Sequence, residues 1–321
     1  MRTKDKVLAL LETRRGQSIS GEAIAQELSI SRAAVWKAIQ TLRDEGHHIS
    51  AAPKKGYALS EDSDILSEQG MRPFLTQDVG VHIYSSVGST NETAKELAMA
   101  GAAHGTVVTA ESQSAGRGRY GRSFYSPAGQ GIYMSLILRP EHLWLNTPTL
   151  ITSFAAVAVC EAVEVLCHKQ PKIKWVNDIF LEQKKICGIL TEAVTDFESG
   201  QIGWIVVGIG INFTGEFPPE LRDIATSLFV HELPAVTRNQ LIAEIVNRML
   251  AMKDEQALLA QYKSRLNMLN KQVLVRGSEE YTATALDIDD TARLIVRRAT
   301  GETQALSSGE VSIVNLNKNN G

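Results

Sequence analysis

Gly116-Arg117-Gly118-Arg119-Tyr120-Gly121-Arg122 decides between two quite different folds. Taken letter by letter it contains Gly-x-Gly-x-x-Gly, the spacing with which a strand–turn–helix unit holds a dinucleotide pyrophosphate. That motif needs a strand before it and a helix after it. An apolar strand pattern does precede, at Thr106 to Glu111, but Ser123-Phe124-Tyr125-Ser126-Pro127 follows and starts no helix. Three arginines inside the turn are also foreign to it. Another anion chemistry fits better. Glycines let the chain bend and approach an anion closely, and Arg117, Arg119 and Arg122 carry forked donors that match phosphate or carboxylate oxygens. Such a loop is expected to be mobile when empty. From these residues alone, a solvated basic loop or a second nucleic-acid contact stays open.

Outward from the loop, strands are expected at Val81 to Val87, Ile132 to Leu138, Lys172 to Trp175, Ile186 to Ala193 and Ile202 to Ile211. Helices are expected at Asn91 to Ala100, Thr147 to Cys167 and Arg238 to Asn267. The interleaving is too irregular for strict βαβ repeats, so the class is α+β with a mixed or antiparallel sheet. From Lys271 onward short β runs, Val273 to Arg276, Tyr281 to Leu286, Ala292 to Arg297 and Val311 to Val314, alternate with turn signals, and a small C-terminal β-barrel is expected. The last residues, Asn317 to Gly321, read as a polar tail.

The first 60 residues have a separate pattern. Val7, Leu8, Leu10 and Leu11 give one helix an apolar face; Ser20 caps a second helix carrying Ile24, Ala25 and Leu28; Ser31 caps a third carrying Val35, Ile39 and Leu42. Two short strands, Ile49 to Ala51 and Tyr57 to Leu59, flank a turn with Lys54 and Lys55 at its tip. This is a winged helix–turn–helix. Its third helix can face Ser31, Arg32, Trp36, Lys37, Gln40 and Arg43 outward, with Gln40 reaching a base edge and Arg32 and Lys37 meeting phosphate or guanine; a solvated helix in a protein-docking bundle stays open. Lys54 and Lys55 can lie along the adjacent backbone as the wing. Charge agrees: residues 1–60 hold ten Lys/Arg against six Asp/Glu, while the remainder holds 23 against 30. Polar, unpatterned Glu61 to Asp64 is the linker. The resulting division is 1–62, 63–269 and 270–321.

Composition limits the other classes. Three cysteines, Cys160, Cys167 and Cys187, make no disulfide framework and no Cys-x-x-Cys pair, so no metal site is expected. The start Met-Arg-Thr-Lys-Asp-Lys carries no signal-peptide core, and apolar runs are expected to fall short of the roughly 18–20 residues that span a bilayer. A reduced, cytoplasmic protein with no membrane contact is the expectation.

The arginine loop does not stand alone. Gly88-Ser89-Thr90-Asn91, Glu111-Ser112-Gln113-Ser114-Ala115-Gly116, Lys174-Trp175-Val176-Asn177-Asp178, Lys185-Ile186-Cys187-Gly188-Ile189-Leu190-Thr191-Glu192 and Gly208-Ile209-Gly210-Ile211-Asn212 occur around it in order. Together they resemble the biotin–protein ligase family. The helix–turn–helix, Lys55-Gly56-Tyr57 and Gly309-Glu310-Val311-Ser312 resemble its bifunctional class, which also represses the biotin operon. The resemblance covers nearly the whole chain. It implies a class II synthetase-like central domain and an SH3-like C-terminal barrel. It also implies a two-step reaction: biotin and ATP, with Mg²⁺, give biotinyl-5′-AMP, and biotin then passes to a lysine of a biotin carboxyl carrier protein. A homodimer formed on loading with the adenylate would bind operator DNA.

Residue by residue, the resemblance assigns biotin to Ser89, Thr90, Asn91, Gln113, Arg117, Gly118, Arg119 and Lys185. It assigns the nucleotide to Arg117, Arg119, Arg122, Asn177 and Asn212, and catalysis to Arg119, Lys185 and Asp178. Ser89, Thr90 and Gln113 suit a ureido ring in an apolar slot. The cations offset repulsion between carboxylate and α-phosphate. Asp178 can orient the incoming amine, although Asn177-Asp178 also suits a plain turn, and Asn91 can instead cap the following helix. Two positions depart from the pattern: Val176 stands where proline is usual, and Phe124 where tryptophan is.

Overall fold

The computed structural model describes residues 1–52, 55–143, 150–195, 200–251, 253–277 and 279–314. Lys54, the wing residue, lies outside these, as do residues 147–149 and the tail at 317–321.

The N-terminal helices are α1 (Thr3–Thr13), α2 (Gly21–Glu27) and α3 (Arg32–Asp44), followed by β1 (Ile49–Ala52) and β2 (Gly56–Leu59) in antiparallel register. Both expected caps are present: Ser20 Oγ accepts from Ala23 N–H at 3.0 Å, and Ser31 Oγ from Ala34 N–H at 3.1 Å. Each such cap contributes about 1 kcal/mol. Val7, Leu11, Ile24, Val35, Ile39, Leu42 and Leu59 close one apolar cluster. Ile19 pairs with Tyr57, and a Cβ on Gly56 would meet Ile19 O at 2.1 Å, so only glycine allows the wing to lie against α2.

His47, after α3, is buried. Burial pushes its pKa from 6.5 to about 4, with nearby Arg15, Lys4 and His48 adding to the shift and Glu45 opposing it. Because the folded pKa is depressed, the unfolded chain binds the proton more readily between those values. Stability is therefore complete above pH 6.5 and falls as pH drops toward 4, by roughly 3 kcal/mol. Urea unfolding at pH 7 and pH 4.5 checks this, and His47→Leu should shrink the difference between the two.

The segment after β2 is tied down at several points. Arg15 donates to the carbonyls of Ser60 and Ser63 at 3.0 and 2.8 Å. Ser63 is buried. Arg238, 2% exposed, donates to Asp64 Oδ2 at 2.9 Å and to Glu111 Oε2 at 2.8 Å. Asn239 donates to Ile65 O and accepts from Ser67 N–H. A short helix, α4 (Glu68–Met71), follows.

The central sheet contains β3 (Val81–Tyr84), β4 (Thr106–Ala110), β5 (Gly131–Leu138), β6 (Lys172–Lys174), β7 (Asp178–Leu181), β8 (Lys184–Thr195) and β9 (Ile202–Asn212). Its order is β3-β4-β5-β9-β8-β7-β6; only β3 and β4 are parallel, so the sheet is mixed, as expected. Alternate residues of each strand serve opposite faces. Val107, Leu136 and Leu138 join the apolar cluster that contains α6 (Leu150–Cys167), whereas Val108, Ile137 and Val206 meet Ala94 and Ala98 of α5 (Thr90–Met99). At 18 residues and mean hydropathy 2.0, α6 is long and apolar enough to cross a membrane, contrary to expectation; with 72% of it buried against the sheet, it is the core helix.

The structure corrects several sequence readings. The helix expected over Arg238 to Asn267 is two, α7 (Arg238–Ala251) and α8 (Glu255–Arg265), because Asp254 caps a new start by accepting from Gln256 and Ala257 N–H. Of the Asn177-Asp178 pair, for which a plain turn is the alternative, Asn177 lies in the turn and Asp178 opens the strand β7. Ile205 to Ile211 of glycine-rich β9 is paired on both sides, by β5 and β8.

At the C-terminus β10 (Gln272–Arg276), β11 (Glu280–Ile288), β12 (Leu294–Arg298), β13 (Thr303–Leu306) and β14 (Glu310–Ile313) form an antiparallel sheet in the order β13-β12-β11-β10-β14. This is the small β unit expected, with β13 added. Val273, Val275, Ala285 and Val296 join the same apolar cluster as α6.

Candidate active site

One cavity of about 530 Å³ opens over the middle of the central sheet. Its floor is glycine: Gly188 of β8 and Gly210 of β9 face each other in register, and a Cβ on Gly210 would lie 2.7 Å from the Phe124 ring. The residues named from sequence converge here. Ser89, Thr90, Asn91, Gln113, Arg117, Gly118, Arg119, Arg122, Asn177, Asp178, Lys185 and Asn212 all line it.

Ser89 is the N-cap residue of α5, buried, and makes no side-chain cap bond. Thr90 N–H and hydroxyl both donate to Gln113 Oε1, at 2.9 and 3.2 Å, and Gln113 Nε2 donates to Ser126 Oγ. Asn91 lies inside α5 and does not cap it. Its amide donates to Leu190 O and Glu192 Oε2 and accepts from Ser135 Oγ, which fastens the helix to the sheet. Burial pushes the Glu192 carboxyl up, but hydrogen bonds from Lys95 and Asn91 outweigh that and leave it below the usual range.

The arginine segment is a closed hairpin rather than an open loop. Phe124 N–H donates to Gly116 O, Gly118 N–H to Arg122 O at 2.7 Å and Arg122 N–H to Arg119 O, around Tyr120 at φ +57°. The Gly118 amide is therefore engaged within the turn, and the guanidinium groups are what the hairpin presents. Each is held by a different element: Arg117 by Glu92 of α5 at 2.7 Å, Arg119 by Asn177 Oδ1 at 3.0 Å and Arg122 by Glu310 of β14 at 2.6 Å. The hydrogen bond from Arg122 holds the Glu310 carboxyl below its ordinary pKa.

Opposite the hairpin, Lys185 Nζ donates to Asp178 Oδ1 at 2.7 Å, and Asn177 Nδ2 to the Ile189 carbonyl at 3.0 Å. Asn212, buried, donates to Lys185 O and Thr226 O, so it braces the backbone that carries Lys185. The Trp175–Val176 peptide bond is cis. Glu92 and Glu310 are site residues that sequence reasoning missed as partners. The only signal was the quoted Gly309-Glu310 motif, to which no role was attached. All three thiols are buried and pushed up in pKa by that burial, Cys167 to about 11, so none is a nucleophile at neutral pH.

On the N-terminal unit, Arg32, Trp36 (58% exposed), Lys37 and Lys55 face solvent and Gln40 is half-buried. Ser31 is spent as the cap of α3 and remains exposed. Arg43 is not free to face outward: its Nε donates to Ile49 O at 2.9 Å and ties α3 to the wing.

Comparison with known proteins fits this arrangement. Residues 84–212 match the Biotin/lipoate A/B protein ligase family, residues 3–58 an HTH domain and residues 268–314 the Biotin protein ligase C terminal domain. The bifunctional ligase/repressor BirA of Escherichia coli (strain K12) is 31% identical over 325 residues, 98% of each chain. That of Bacillus spizizenii is 45% identical over 228 residues, 69% of each chain. The biotin protein ligase from Aquifex aeolicus, solved in complex with biotin and ATP, superposes with a TM-score of 0.62 at 26% identity, covering 73% of this chain and 98% of that one. A glycine-floored sheet roofed by a guanidinium hairpin is thus the site of a protein ligase, and the chain belongs to the biotin/lipoate A/B protein ligase family. Its attached DNA-binding unit and full-length similarity set it among the bifunctional ligase/repressors.

Proposed function

We propose that this protein joins biotin to AMP using ATP, passes the biotinyl group to a lysine of a biotin carboxyl carrier protein, and represses biotin operon genes through its N-terminal unit. The observation that carries the enzymatic half is the convergence of Arg117, Arg119, Arg122 and Lys185 on one glycine-floored cavity. Two anions, a carboxylate and a triphosphate, repel each other, and preorganised cations offset that repulsion where charge develops.

In this reading Ser89, Thr90, Asn91 and Gln113 line the end that takes the ureido ring, with Phe124 as the apolar wall. Arg117, Gly118, Arg119 and Lys185 lie along the carboxylate, and Arg119, Arg122, Asn177 and Asn212 along the nucleotide. Lys185 leaves Asp178 to meet the reacting anions, and the freed Asp178 carboxylate then orients the carrier amine. Mg²⁺ would accompany the triphosphate, bound by few ligands from the chain. Ser31, Arg32, Trp36, Lys37, Gln40, Lys54 and Lys55 form the operator-facing set, and a homodimer loaded with biotinyl-5′-AMP is the DNA-binding form. The domain division 1–62, 63–269 and 270–321 belongs to the same proposal. So does a cytoplasmic location, supported by three unpaired thiols.

The test is incubation with ATP, biotin and an apo carrier domain, followed by intact mass measurement. The carrier should gain one biotinyl group and gain nothing when lipoate replaces biotin; an unlabelled carrier, or equal lipoylation, ends the proposal. Gly210→Ala gives a second check. Its methyl needs the space of the Phe124 ring, so biotin should bind about tenfold more weakly by calorimetry, in line with roughly 1–3 kcal/mol for overpacking, while the fold persists.

A further inference from the structure

Trp175 to Asn177 form the three-residue turn between β6 and β7, since Lys174 pairs with Asp178. The Asn177 carbonyl accepts from Ile189 N–H of β8 at 3.0 Å, but the Val176 carbonyl has no ladder partner and must find one elsewhere. This turn also carries Asn177 and leads directly into Asp178, so its pose sets theirs. Two buried side chains anchor it, Tyr262 from outside the cavity and Trp175 from its wall. The hydroxyl of Tyr262, on α8 and 0% exposed, donates to Val176 O at 2.9 Å. The indole of Trp175 donates to Ala292 O at 2.9 Å. In front, Asn177 accepts from Arg119 and Asp178 accepts from Lys185.

A phenylalanine would fill the Tyr262 site as well on packing grounds. The hydroxyl is there for the carbonyl, because a buried phenol needs an acceptor and the turn needs a donor. We propose that Tyr262 is a positioning residue for ligation: by holding the Val176 carbonyl, its hydroxyl fixes the turn that presents Asn177 to Arg119 and Asp178 to Lys185. Tyr262 is not among the residues lining the cavity and acts through the backbone of residues 176–178. The inference rests on the ligase reading above and adds to it a residue that no sequence motif marks. Misplacement by about 1 Å far from the chemistry can cost up to about a hundredfold in rate.

The experiment uses the full-length chain as wild type, Tyr262→Phe and Trp175→Phe. Trp175→Phe removes the neighbouring tether and guards against one variant folding poorly. Biotin binding by calorimetry counts competent sites, and pyrophosphate release and carrier labelling are expressed per competent site. For Tyr262→Phe the expected result is a kcat lowered about tenfold with the KM for biotin within about twofold of wild type. Trp175→Phe should show the same split. A purely structural role would lower the melting temperature and the number of competent sites but leave kcat per site within about twofold; that outcome in both variants overturns the proposal. A raised KM for biotin with unchanged kcat overturns it too. Wild type that labels no carrier would instead defeat the ligase reading itself, on which the proposal depends.

Discussion

Lys185→Ala and Arg119→Ala should each release pyrophosphate from ATP and biotin about 10²–10³-fold more slowly than wild type, with secondary structure unchanged. Both side chains enter the cavity from rigid places. Lys185 sits near the start of β8, its carbonyl braced by Asn212, and Arg119 sits on a hairpin closed by its own backbone bonds. Preorganisation of this kind makes a cation effective, because nothing has to reorganise as charge develops. The two should differ in one respect. Arg119→Ala also strips Asn177 Oδ1 of its donor, whereas Lys185→Ala leaves Asp178 without its cation beside the reacting anions, with only the Asn177 amide to donate to it. Lys185→Ala should therefore be the slower, and Lys185→Arg should recover only part of the loss, since a forked guanidinium does not replace a point charge. Stopped-flow pyrophosphate detection measures all three; near-normal rates in both alanine variants would remove the assigned roles.

Arg238→Ala should destabilise the chain by about 3–5 kcal/mol, the largest effect expected away from the chemistry. The guanidinium is buried, and its attraction to Asp64 and Glu111 outweighs the cost of burial enough to hold its pKa above the usual arginine value. It also donates to Asp64 O and, more weakly, to Gly131 O. Removing it leaves two partly buried carboxylates without their cation, each keeping one backbone N–H donor, and two carbonyls without the guanidinium. Those partners are the segment joining the N-terminal unit to the sheet and both ends of the stretch that carries the arginine hairpin. The loss should therefore appear in urea unfolding and also as faster proteolysis near residues 61–66. A change below about 1 kcal/mol would show the network to be ornamental.

These three residues also show what the sequence could and could not disclose. Lys185 and the arginines were legible because their meaning is local: glycines and cations within a few residues of one another state their chemistry. Ser20 and Ser31 were legible for the same reason, since a cap and its helix are adjacent. Arg238 was not, because its partners lie 127 and 174 residues away and nothing near Thr237-Arg238-Asn239 calls for a buried cation. Glu92 looked like any solvated helix glutamate until the hairpin brought Arg117 to it. Strand β13 escaped because an exposed edge strand shows no alternation, and only Leu306 of its four residues is buried. The break between α7 and α8 was legible and passed over: Asp254-Glu255 is an ordinary helix start.

On the proposed function, one cavity neutralises two anions well enough to join them before any carrier arrives. Pyrophosphate counted in a single burst, with enzyme, biotin and ATP but no acceptor protein, tests it most directly. One equivalent released per chain, followed by a stall with biotinyl-5′-AMP retained on the protein, is the predicted result. No burst, or release that is indifferent to biotin, would contradict it.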